Sequence, residues 1–164
     1  MKKIFPMLLM ICMAGCFSRQ PSVITGQEGK PLPNVNLLLM DSSTVVTQNN
    51  VPKGQAIVFF YFSPYCPYCR AETEEMVKNI HSLQNIKVYF VSSFPFSLIK
   101  SFYENYQLNK YRNITVAQDL GSSFGNYYKV PGVPYIAVYS GNKMLKQVFI
   151  GHTDYKTIEE VALN

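Results

Sequence analysis

The chain has no tryptophan, only two histidines and only four cysteines in 164 residues. Each shortage removes a class of protein. A structural zinc site needs four ligands, mostly cysteine and histidine. Here two cysteines lie together at Cys66 and Cys69, and His81 and His152 stand far from them in sequence. Both histidines read as surface residues, one at a helix end and one in the loop before the last helix. Two of the four cysteines, Cys12 and Cys16, fall in the first 16 residues, and the single pair that remains is not a disulfide-stapled scaffold. Basic residues outnumber acidic ones, 15 to 10, yet they form no cluster. The formal charge of +5 falls by two, to +3, once Lys2 and Lys3 are set aside. Nucleic acid is therefore not an expected partner. No apolar run reaches the roughly 20 residues of a membrane-spanning helix. Internal repeats and low-complexity tracts are missing too. Aromatic residues are plentiful instead, with 12 Tyr and 11 Phe, enough to fill one domain's core.

The N-terminus carries a targeting pattern. Lys2 and Lys3 precede a short apolar run over residues 4–15, which ends in Met13-Ala14-Gly15-Cys16. Small residues before a cysteine resemble the lipobox of bacterial lipoproteins. In those proteins the leader is cut before the cysteine, which then carries lipid. The expectation is a signal peptide over 1–15, lipid on Cys16 and a flexible tether over 16–32. Met13 departs from the usual leucine, and an ordinary secretory signal is the alternative. Cys12 would leave with the leader. The mature chain would then keep one reactive pair, Cys66 and Cys69.

The rest reads as one domain over 33–164. Residues 35–40 and 44–47 flank Asp41-Ser42-Ser43 and predict a β-hairpin. Residues 56–62 are apolar without alternation, as in a central strand covered on both faces. A helix follows over 67–83, with Met76, Val77 and Ile80 as its buried stripe and Glu74, Glu75 and Lys78 facing water. Then come a strand at 86–92 and a helix from Pro95 to Gln107 with Ile99, Phe102, Tyr103 and Tyr106 as core. A short strand at 114–117 and a weaker helix at 119–128 come next. Strands at 134–139 and 144–150 are joined by Ser140-Gly141-Asn142, and a last helix spans 153–163. Repeated strand–helix units imply parallel strands with helices on both faces.

The most informative residues are Cys66-Pro67-Tyr68-Cys69. A strand delivers them to the first turn of a helix. The partial positive charge of a helix N-terminus favours a thiolate there. Pro67 suits the first helical position, where no partner exists for an N–H. Cys69 lies one turn on, within reach of a disulfide with Cys66.

With VFFYFSPYCPYCRAE at 58–72 and VPGVPYIAVY at 130–139, the chain resembles thioredoxin-like bacterial lipoproteins of the TlpA/ResA type across residues 33–163. The resemblance implies an α/β thioredoxin fold with an N-terminal β-hairpin extension. It implies a thiol–disulfide oxidoreductase at the cell envelope, facing the periplasm and needing no organic cofactor. Its partners would be client proteins with disulfides or thiols and a membrane electron donor or acceptor. In that family the proline matching Pro134 is cis and faces the cysteines, presenting the backbone of Val133 to a client. The plain alternative is a proline that starts a strand. Cys66 would be the nucleophile and Cys69 the resolving thiol. An acid at the position of Glu72 would tune Cys69; the alternative is an exposed first-turn glutamate. Tyr65, Pro67 and Tyr68 would flank the client. Tyr65 replaces the usual tryptophan, and its ring is expected to shield the pair. Pro67-Tyr68 is the dipeptide of glutaredoxins, and Gly151-His152-Thr153-Asp154 faintly resembles their glutathione site.

Three rival functions stay open. Ser63, three residues before Cys66, suits a thiol peroxidase, although Phe59 stands where such enzymes have proline. Two thiolates suit a soft ion such as Cu(I). A non-catalytic binding module is the third. The resemblance implies reduction of client disulfides, while the residues themselves leave reductase, oxidase and isomerase open, since Arg70 and Glu72 pull thiolate stability in opposite directions.

Overall fold

A computed structural model describes residues 22–164. The expected leader and Cys16 lie outside these residues. Seven strands form one mixed sheet in the order β2-β1-β5-β4-β3-β6-β7. They are β1 (Asn36–Leu39), β2 (Val45–Thr47), β3 (Ala56–Tyr61), β4 (Ile86–Ser92), β5 (Ile114–Asp119), β6 (Tyr135–Tyr139) and β7 (Leu145–Ile150). The helices are α1 (Pro67–Lys78), α2 (Phe96–Asn105), α3 (Ser123–Tyr128) and α4 (Tyr155–Leu163). This is a thioredoxin-like fold with β1 and β2 as an added hairpin on the β5 edge.

The three middle strands run parallel. The β3-α1-β4 and β4-α2-β5 crossovers travel in the same direction across the sheet. Right-handed crossovers that travel the same way leave their helices on the same face. Accordingly Met76 of α1 and Ile99 and Phe102 of α2 share one core with Val58, Phe60 and Phe90. Ile158 and Ala162 of α4 join them. The return from β5 to β6 reverses direction, and α3 covers the opposite face, packing Phe124 on Phe59 and Tyr61. Leu32, Val35 and Val51 complete that side. Helices do lie on both faces, but three to one. All six residues of β3 are buried, as a strand without alternation requires.

The helix of the cysteine pair ends five residues early. Asn79 closes it, its side chain donating to the Glu75 carbonyl at 2.9 Å, and turns fill the stretch to β4. Its buried residues are Cys69, Glu72, Thr73 and Met76, so Val77 and Ile80 are only half-buried. Strand β5 runs past the expected residue 117 to Asp119, which pairs with Leu37 of β1.

The expected tether is not free within the described residues. The Val23 N–H donates to the Val148 carbonyl at 2.9 Å, and Gly29 and Leu32 donate to Leu145 and Lys143, each at 2.8 Å. Residues 23–32 thus lie along the outer edge of β7. An open strand edge carries unpaired backbone groups that invite association, and this segment occupies them. Among the described residues no helix is long and apolar enough to cross a membrane.

Candidate active site

Three elements converge at the C-terminal end of β3. That strand is followed by Phe62-Ser63-Pro64-Tyr65, which leads to the first turn of α1. Cys66 occupies the N-cap of α1, and Pro67 is its first residue. The Cys66 sulfur stands where a serine or aspartate oxygen would cap. It accepts the Cys69 N–H at 3.4 Å, so the cap is satisfied by the reactive atom itself. Both cysteines are thiols here, Cys66 half-buried and Cys69 fully buried. Burial pushes the Cys69 thiol far above its ordinary range. It is a poor nucleophile until a base takes its proton.

The loop before β6 supplies the second side. The Val133–Pro134 peptide bond is cis, so Pro134 is more than a strand start. The Cys66 thiol lies 3.6 Å from the Val133 carbonyl oxygen. Beside this contact runs an open groove of about 340 Å³, lined by Ser63, Phe94, Val130, Pro131 and Val133 among others. Tyr65 and Tyr68 stand exposed at 60% and 65%. The Tyr65 ring meets Phe94 edge-on, with centroids 5.8 Å apart. Tyr65 itself lines a separate cavity with Arg70, Phe102 and Tyr106. Arg70 turns away from Cys69 and donates to the Tyr65 carbonyl at 3.0 Å.

Beneath Cys69 lies Glu72, 1% exposed. The reading of an exposed first-turn glutamate is corrected: Glu72 falls on the buried face, one turn beyond Cys69. Its Oε2 accepts the Thr153 backbone N–H at 2.9 Å and lies 2.6 Å from the Nδ1 of His152. Burial raises its carboxyl, while Thr153 and His152 pull it back, leaving it at about 7. His152 is also corrected from a plain surface histidine. Its side chain is half exposed, but Nδ1 faces Glu72 and Nε2 lies 3.4 Å from Glu75. His152 and Thr153 are site residues that sequence reasoning missed. Nothing local links positions 72 and 152; only the return of the β7–α4 loop under α1 joins them. The His152–Thr153 contact is spent on a carboxylate of the chain itself, which argues against the glutaredoxin-like site. Among the described residues no group of three or more His, Cys, Asp or Glu could hold a metal.

The AhpC/TSA family matches residues 29–153. The chain belongs to that family. It is a thioredoxin-like oxidoreductase, of the set that comprises thiol–disulfide exchangers and peroxidases. Solved structures agree on the fold. AhpC of Enterococcus faecalis is 15% identical and superposes with a TM-score of 0.66, over 82% of this chain and 90% of that one. A secreted disulfide oxidoreductase of Mycobacterium tuberculosis, homologous to DsbE of E. coli, is 18% identical with a TM-score of 0.63, over 79% and 95%. StoA of Bacillus subtilis is 16% identical with a TM-score of 0.60, over 80% and 98%. No curated protein gives a significant sequence match.

Proposed function

We propose that this protein is a lipid-anchored thiol–disulfide oxidoreductase of the TlpA/ResA type, facing the periplasm and reducing disulfides of client proteins. The observation that carries it is the asymmetry of the pair. Cys66 is accessible at the helix N-terminus, beside the Val133 carbonyl and an open groove. Cys69 is buried behind it.

The Cys66 thiolate attacks a client disulfide sulfur, and the client's other sulfur leaves with the electron pair. An extended client segment lies in the groove between Tyr65 and the Val133–Pro134 backbone, with Pro67 and Tyr68 at its rim. Cys69 then loses its proton to Glu72 and attacks the Cys66 sulfur. The client departs as a dithiol after taking up two protons, and the protein is left as the Cys66–Cys69 disulfide. A membrane electron donor restores the dithiol. Lys2, Lys3, the apolar run and Cys16 support export and lipid attachment, and acyl labelling that survives in Cys16→Ser would exclude that anchor.

Trapping tests the roles. Cys69→Ser should accumulate client proteins covalently on Cys66, seen as reducible adducts on gels. Cys66→Ser should accumulate none; equal trapping by both variants sinks the assignment. The reduction potential then decides direction. A value at or below about −270 mV supports a reductase, and one near about −120 mV makes the protein a disulfide donor. Family membership keeps the peroxidase reading alive, with Ser63 beside the site. Rapid consumption of hydrogen peroxide with a dithiol donor would favour it.

A further inference from the structure

Glu72 takes up a proton in the step above, yet its side chain is only 1% exposed. A buried carboxyl that gains or loses a proton alone also changes the charge of the core, which is costly in a low dielectric. The structure supplies a second titratable group on the same oxygen. His152 Nδ1 lies 2.6 Å from Glu72 Oε2, and its ring reaches from that buried contact out to solvent. Nε2, on the far side of the ring, lies 3.4 Å from the partly exposed Glu75.

We propose that His152 is the solvent-side half of a proton relay, releasing a proton from Nε2 whenever Glu72 takes one from Cys69. This rests on the thiol–disulfide reading above and adds a residue to it. The balance is simple. Before resolution Glu72 is a carboxylate and His152 an imidazolium, with Nδ1–H donating to Oε2. The Cys69 S–H bond breaks, and its proton goes to the Glu72 carboxylate. The sulfur keeps the electron pair and uses it to form the bond to the Cys66 sulfur. The imidazolium gives its Nε2 proton to water, assisted by Glu75. A neutral acid and a neutral imidazole remain, so the pair is uncharged as a unit before and after. Reduction of the disulfide runs the same steps backwards, with His152 protonated from solvent.

Histidine is suited to this because its charge changes near neutral pH. The titratable groups facing it are Glu72 and Glu75 of α1. Asp154, next but one in its own loop, accepts from the Lys156 N–H at 2.7 Å and caps α4. Lys146 points to the far end of that helix, donating to the Ala162 carbonyl. His152 touches neither sulfur; it is a positioning residue that acts through Glu72.

The test uses the full chain in detergent, reduced and mixed with glutathione disulfide. Acid quenching and mass spectrometry follow the glutathione adduct on Cys66 as it resolves into the Cys66–Cys69 disulfide. An opposite charge at hydrogen-bond distance moves a carboxyl by about 1–3 pH units. In the wild type the resolution rate should therefore rise through a bend near neutral pH. In His152→Gln, which keeps a polar side chain but no charge, the bend should move up by about one unit or more. Resolution at pH 7 should slow about tenfold and recover at higher pH. Glu72→Gln should remove the bend, and the double variant should behave as Glu72→Gln alone. A His152→Gln profile that overlays the wild type, or is slowed equally at every pH, overturns the relay. Adducts that never form on the wild-type chain overturn the thiol–disulfide reading itself, and the relay with it. A second readout leaves His152 in place. By reciprocity of coupling, the NMR titration midpoint of its ring should fall by about one unit in Glu72→Gln. An unchanged midpoint also overturns the relay.

Discussion

Glu72 shows how much one side chain's surroundings decide. On a helical wheel it could face water or core, since α1 carries glutamates at 72, 74 and 75. The structure buries Glu72 and leaves Glu74 exposed. Burial raises the Glu72 carboxyl from the ordinary 4.5 to about 7. A carboxyl raised on folding stabilises the fold below its unfolded value, and that contribution is lost as pH rises through the folded value. The wild type should therefore lose stability relative to Glu72→Gln between pH 5 and pH 8, on the order of 2 kcal/mol. Urea unfolding of both proteins at the two pH values measures it. A difference independent of pH would mean that Glu72 stays charged throughout. Cys66 needed no such context: the CxxC spacing after an apolar strand, with Pro67 at the first helical position, was legible from the residues alone.

At the scale of elements, α3 was the weakest feature of the sequence, and the structure shows what holds it. Its N-cap, Ser122, makes no capping bond through its side chain. Asp119 at the end of β5 does that work instead. It accepts the Phe124 N–H at 3.1 Å, the Gly125 N–H at 3.0 Å and the Ser123 hydroxyl at 2.6 Å. A cap four residues ahead of the helix's first residue, at the end of a strand, has no simple sequence signature. Gly125 matters for a different reason. A Cβ there would come within 2.6 Å of the Tyr61 hydroxyl. Glycine to alanine inside a helix ordinarily gains about 0.5–1 kcal/mol. Here the Tyr61 ring is packed against Phe124 with centroids 5.5 Å apart, and it cannot yield without disturbing that face. Gly125→Ala should therefore destabilise, by about 1–3 kcal/mol, as a lowered midpoint in urea. A stabilised variant would show that Tyr61 moves freely.

For the whole molecule, the sheet's two edges are treated differently. The hairpin β1–β2 extends the β5 edge. The β7 edge is covered by residues 23–32, a stretch rich in Gly and Pro that reads as linker by composition. A chain cut to begin at Pro33 loses the backbone bonds from Val23, Gly29 and Leu32 and bares the strand. It should melt several degrees lower and self-associate, as seen by calorimetry and light scattering. A cut chain that melts with the full chain and stays monomeric would return that segment to a tether.

Patterns within a few residues of each other determined much of this protein. A buried strand leads into Cys66-Pro67-Tyr68-Cys69, strand–helix units repeat, and Val133-Pro134 opens a late strand. These follow from backbone preferences and hydrophobic period, which act locally. The tertiary structure alone decided what Glu72 is. His152 and Thr153 reach it across 80 residues of chain because α1 and α4 share one face of the sheet, so the loop after β7 closes beneath the cysteines. Burial there converts an ordinary glutamate into a group poised near neutrality, and burial is a property of the assembled fold rather than of any segment.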